Sequence, residues 1–235
     1  MNQVDRLCPH MLSNKKIIKI LNNIFYNSNT KNTQESNKKQ TKVNKYFVPM
    51  FEDTLFWCFY IFYKGREMYE NSSNSGFKEE KDFKFSFVDS LKQNPEFTKQ
   101  HKIKYFDVEN ECVNMKKIGF TTLRALCLYY KINIIVVKDK LYYKFGDFFN
   151  DNKEVIYLEN GKFGLNENIT KDKIEFIEKN YIELQVNKKP LKAISGYSAT
   201  ELKIMNQKLG ISIYNDNQKV KVKKELYDQL IKYII

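Results

Sequence analysis

Histidine is almost missing from this chain: only His10 and His101 occur among 235 residues. Cysteine is scarce as well, and Cys8, Cys58, Cys112 and Cys127 form neither a C-x-x-C pair nor a regular framework. Two histidines and scattered cysteines cannot supply a tetrahedral zinc site at the usual spacing, so no metal ligand is assigned. Two of the cysteines lie among apolar neighbours, which predicts free thiols in a reducing compartment. There is no glycine-rich phosphate loop of the Walker or dinucleotide type, and no cofactor is expected. No stretch approaches the ~18 consecutive apolar residues that span a bilayer. The longest apolar run, Leu55 to Tyr63, suits a buried helix instead. Met1 to His10 has no apolar segment of a secretory signal. These absences predict an intracellular protein with no membrane partner.

What is present is a globular composition, 42% hydrophobic and 15% aromatic, with a formal charge of +12. Eighteen Phe and sixteen Tyr accompany abundant Lys, Asn and Ile, a bias that A/T-rich coding produces, so the aromatics alone carry no functional weight. The charge is unevenly placed. Residues 1–46 hold nine Lys/Arg against two Asp/Glu, a net +7, and residues 188–235 hold ten Lys against four acids, a net +6. The middle, 47–187, has twenty-one basic and twenty-two acidic residues, a net −1. Basic ends on a neutral body point to contact with a polyanion.

Along the chain, Leu12, Ile17, Ile18, Leu21, Ile24 and Phe25 give helical spacing, so an N-terminal helix is expected within 1–26, with Ser13 as a candidate cap. Residues 27–45 are polar apart from Val43 and read as a linker. An α+β core is expected over 46–187. Asp53 caps an apolar helix to about Tyr63, ended by Gly65; Asn71 to Gly76 is a loop; a charged helix runs from about Phe77 to Lys92. A short helix is expected over Val108–Asn114, and Thr121 or Thr122 caps a helix to Tyr130. Ile132–Val137 is a β-branched run, hence a buried strand. Leu141–Phe145 and Val155–Leu158 read as further strands, Gly161 and Gly164 as turns, and Ile174–Asn180 as a helix. The acids Glu79, Glu80 and Asp82, and Asp107, Glu109 and Glu111, lie beside lysines and read as solvated faces.

Residues 188–235 form the clearest module. Ser198-Ala199-Thr200-Glu201 is a capping box, Leu202, Met205 and Leu209 share a helix face, and Gly210 stops that helix. A polar stretch through Asn215, Asp216 and Asn217 leads to Lys219, Lys221, Lys223 and Lys224, then to a second helix carrying Leu226, Leu230 and Ile234. The residues Ser198–Lys203, Leu209-Gly210-Ile211 and Lys221–Leu226 resemble the SAP family, a helix, an extended loop and a helix. That resemblance implies duplex DNA binding, with loop and second-helix lysines on phosphates. The loop here is longer than the family's and lacks its small-residue turn. The candidate nucleic-acid contacts are Lys203, Lys208, Lys219, Lys221, Lys223 and Lys224, helped by amides at the second helix start.

The core raises an enzymatic reading. Asp53-Thr54-Leu55-Phe56-Trp57-Cys58, followed by the helix and strand over 123–137 and the strand at 155–158, is similar to ovarian-tumour-type, papain-like peptidases. In that family a cysteine opens the helix and a histidine follows a late strand. Here Thr54 holds the nucleophile register, Cys58 lies a turn inside the helix, and Asn160-Gly161-Lys162-Phe163-Gly164 has no histidine. A nucleophile without a positioned base is not a catalytic site, so no catalytic residue is assigned. Cys58 and Trp57 read as core. Finally, Asp53–Ile61, Lys131–Ile134 and Leu191–Tyr197 resemble an uncharacterised family of nucleocytoplasmic large DNA viruses, which implies a virus factory or virion setting. The expectation is a non-enzymatic binder of nucleic acid. The alternatives are a virion structural protein that contacts other virion proteins, and a peptidase acting through Cys58 or Thr54.

Overall fold

In the computed structural model, residues 46–148, 152–167, 169–186 and 191–234 are described. The expected helix within 1–26 and linker over 27–45, with His10 and Cys8, lie outside them. The protein is α+β. Helices come first: α1 (Thr54–Lys64), α2 (Arg66–Asn71), α3 (Gly76–Gln93), α4 (Pro95–Gln100), α5 (Tyr105–Val113) and α6 (Phe120–Tyr130). Strands β1 (Asn133–Lys138), β2 (Leu141–Phe145), β3 (Lys153–Glu159) and β4 (Lys162–Leu165) follow, then α7 (Lys171–Asn180), β5 (Ile182–Leu184), α8 (Ala199–Leu209) and α9 (Lys223–Ile234). The sheet order is β4-β3-β1-β2-β5. β1 pairs antiparallel with β2 and parallel with β3, while β5 runs parallel to β2.

The register explains the layers. Ile134 faces Phe145, Val136 faces Tyr143, and Lys138 faces Leu141, so these side chains share one side of the sheet. Toward β3 that side joins the apolar cluster of α1 to α6. Toward β5, Leu141, Ile182 and Leu184 join Leu202, Leu209, Leu226 and Leu230 of α8 and α9. The opposite side, with Ile135, Val137, Val155 and Tyr157, is covered by Ile174 and Ile177 of α7. Burial on both faces is why β1 is a continuous Ile/Val run rather than an alternating one.

α1 is nearly all apolar because it is the central helix, with Leu55 to Ile61 buried. Asp53 holds its start. One carboxylate oxygen accepts the Phe56 N–H at 3.2 Å; the other accepts the Ile118 N–H at 2.8 Å and Lys84 Nζ at 2.7 Å. Lys84 is only 3% exposed and also donates to Glu80 at 2.6 Å.

Several expectations are corrected. Glu79 and Glu80 are not simply solvated: Glu79 accepts the Tyr60 hydroxyl, and Glu80 accepts the Trp57 indole N–H at 2.8 Å. Glu111 likewise accepts the Gly119 N–H at 2.7 Å. Gly119, and not Thr121 or Thr122, stands at the cap of α6, which begins at Phe120; Thr122 is buried inside the helix. The short helices α2 and α4 stand where none was expected; α4 is opened by Asn94, which accepts the Phe97 N–H, with Pro95 in its first turn. Gly164 is a strand residue, not a turn. A Cβ there would sit 3.1 Å from the Phe47 carbonyl oxygen, so the missing side chain lets 46–48 lie alongside β4, where Phe47 and Leu165 exchange hydrogen bonds.

Candidate nucleic-acid interface

The interface is built on two helix starts and the segment between α8 and α9. The Ser198–Glu201 capping box forms in full: Ser198 Oγ accepts the Glu201 N–H, and Glu201 accepts the Ser198 N–H. The hydrogen bonds from Ser198, and then the charges of Lys192 and Lys223, hold the Glu201 carboxyl below its ordinary range. Further along, buried Asn206 donates its amide to the carbonyls of Leu202 and Leu226, at 2.7 and 3.0 Å. That amide thus ties the middle of α8 to the first turn of α9. Gly210 ends α8 at φ +79°, where a Cβ would be strained, and the Ile211 N–H bonds back to Asn206.

The intervening segment is an ordered hairpin. Tyr214 and Val220 form an antiparallel bridge, Asn215 N–H bonds the Lys219 carbonyl, and Lys221 N–H bonds the Ile213 carbonyl. The Asn215 side chain caps the turn by accepting the N–H groups of Asn217 and Lys219, at 3.1 and 2.9 Å. Small polar residues at 215–217 permit this because their side chains bond the main chain two residues on.

The six candidate lysines are placed unequally. Lys219, Lys221, Lys223 and Lys224 come from one continuous strand-to-helix segment, with Lys219 and Lys224 exposed. Lys221 Nζ donates to the Ser212 carbonyl at 3.0 Å, near the root of the hairpin. Lys208 is turned toward the sheet and donates to the Tyr181 carbonyl at 3.2 Å. Lys203 is half-buried on α8. At the start of α9, Glu225 reaches back to the Val222 N–H at 3.0 Å, so that amide is already engaged and the cations carry any phosphate contact. One cation that the sequence does not associate with the module is Lys140, in the β1–β2 turn. Its Nζ lies 3.5 Å from where a Cβ on Gly210 would be, beside the end of α8. The Lys140 carbonyl accepts the Ile182 N–H, and α8 packs through Leu202 and Leu209 on this same edge, with Leu141, Ile182 and Leu184.

No family model, curated protein or solved structure matches this chain.

The residues of the peptidase reading occupy the other end of the core. Cys58 is fully buried in α1, and burial, with Asp53 nearby, raises its thiol far above the ordinary value. Cys112 is pushed up to about 12, first by burial. Neither thiol supplies a thiolate near neutral pH. Thr54 Oγ1 accepts the Phe163 N–H at 3.0 Å, so the helix start does meet the Asn160–Gly164 turn, through a hydroxyl and a main-chain amide. His101 caps α4 against Phe97, and its carbonyl accepts Arg124. Among the described residues no group of three or more His, Cys, Asp or Glu is placed to hold a metal ion. Among them, too, no helix is long and apolar enough to cross a membrane.

Proposed function

We propose that the protein binds nucleic acid, with duplex DNA as the expected form, through Lys219, Lys221, Lys223 and Lys224. The observation that carries this reading is their origin in one rigid segment: a bridged hairpin that runs straight into a helix, bearing four cations within six residues. Each cation neutralises about one phosphate and releases the counterions held there, which makes binding steeply salt-dependent. Lys203 and Lys208 take a lesser part, since both lie on α8 outside this segment; Lys221 and Lys208 each give up a carbonyl bond, to Ser212 and to Tyr181, when they turn to a phosphate. The reading is non-enzymatic, because Cys58 is enclosed and Thr54 is bonded to a main-chain amide rather than to a base. A place in a large DNA virus rests on the sequence resemblance alone.

Electrophoretic mobility shift of a labelled duplex tests the reading. The full chain should retard the duplex at moderate salt, and a Lys221→Gln/Lys223→Gln/Lys224→Gln variant should lose most of that shift. Equal retardation by the two proteins would reject the assignment.

A further inference from the structure

Phosphate binding leaves Tyr214 unexplained. It sits in the hairpin, 52% exposed, opposite Val220, which is 43% exposed. Val222, two residues on, is 63% exposed. Side chains directly opposite each other, and those two apart on an extended segment, share a face. Tyr214, Val220 and Val222 therefore make one outward apolar ridge. Lys219 and Lys221, between them in sequence, project to the other face of the hairpin, and Lys223 and Lys224 follow at the start of α9.

The ridge is held stiffly. The Tyr214 N–H bonds Ser212 Oγ at 3.2 Å, and that hydroxyl donates to the Tyr214 carbonyl at 3.1 Å. The bridge to Val220 fixes the other side. A ring on a rigid main chain loses little freedom on binding, so contact with it translates efficiently into affinity. The cations on the other face of this thin hairpin and at the α9 start, one to a few residues away in sequence, select a polyanion as the occupant. Within nucleic acid, the group that fits an aromatic face is a base. In an intact duplex both faces of each internal base are already stacked, whereas an unpaired base offers its own.

We infer that Tyr214, flanked by Val220 and Val222, stacks on an unpaired base, so that the preferred ligand is DNA with a gap, bulge or single-stranded end beside the duplex. This rests on the lysine-binding reading, and the test separates the two. Anisotropy of a labelled intact duplex is compared with that of the same duplex carrying a short single-stranded gap with 2-aminopurine in it. Full-length wild type, Tyr214→Leu, Tyr214→Phe and the triple Lys221/Lys223/Lys224→Gln variant are titrated.

Wild type should bind the gapped form about tenfold more tightly, the scale of one base–aromatic stack. Tyr214→Leu should lose that preference while its affinity for the intact duplex stays within about twofold. Tyr214→Phe, which keeps the ring, should retain the preference. The 2-aminopurine signal should change with wild type and not with Tyr214→Leu. Equal affinity of wild type for both DNAs, or a preference that survives in Tyr214→Leu, overturns the ridge. If the triple variant nevertheless weakens both DNAs, the lysine reading stands without it. If the triple variant binds both as wild type does, the lysine reading falls and the ridge with it.

Discussion

Asp53 does three jobs with one carboxylate: it caps α1, anchors the Ile118 main chain ahead of α6, and neutralises buried Lys84 of α3. Replacing it by alanine removes the cap, worth ~1 kcal/mol, and strips Lys84 of its most buried partner, leaving Glu80. A buried pair broken on one side costs about 3–5 kcal/mol, so Asp53→Ala should lower urea-unfolding stability by that order. Lys84→Met removes the charge but leaves Asp53 hydrogen-bonded to two main-chain amides, and should cost less than Asp53→Ala in the same measurement. At the other end of the molecule, Glu201 has its folded value depressed below 4.5 by Ser198, then by Lys192 and Lys223. A depressed carboxyl contributes stability that is present above its unfolded value and lost as pH falls through the folded one. Wild type should therefore lose more stability below pH 4.5 than Glu201→Gln does, as read by denaturant midpoints at each pH.

The packing of α8 and α9 is an element-scale matter. Leu202, Leu226 and Leu230 are fully buried in a cluster that includes Leu141, Ile182 and Leu184 of the sheet. Leu230→Ala should cost about 2–5 kcal/mol in urea unfolding, the range for a buried leucine. Deleting 188–235 should uncover the three sheet residues, raise binding of an apolar dye and promote self-association, so point variants of the full chain are the sound way to probe binding. At this scale much was legible in the sequence. Asp53 and Gly65 mark the ends of α1, and Ser198, Glu201 and Gly210 mark those of α8, because caps are local chemistry. What stayed hidden depends on partners far along the chain. β5 is three residues long and exists because β2 offers it an edge. Gly164 reads as a turn until Phe47 is seen against it, and Glu80 reads as solvated until Trp57 and Lys84 reach it.

For the whole molecule, the decisive feature is where the charge lies: a body of net −1 over 47–187 followed by a net +6 over the last forty-eight residues. Four of the six candidate lysines were legible as a group because they fall within six residues of sequence and stay together in the hairpin and α9. The direction of Lys208 toward Tyr181, and the arrival of Lys140 beside Gly210, were not, since both follow from the packing of α8 on the sheet. Tyr214 is hidden for another reason: it is one of sixteen tyrosines, and only the Tyr214–Val220 bridge shows it on the hairpin that carries the lysines. The central claim, phosphate binding by the hairpin and α9 lysines, is tested most directly by the salt dependence of DNA affinity. Anisotropy of a labelled duplex with the full-length chain, repeated across a salt series, gives the slope of log affinity against log salt. Each phosphate contact contributes ~0.9 to that slope, so Lys221→Gln/Lys223→Gln/Lys224→Gln should flatten it by about two to three and weaken binding throughout. A triple variant with the wild-type slope and affinity would contradict the claim and direct attention to protein partners instead.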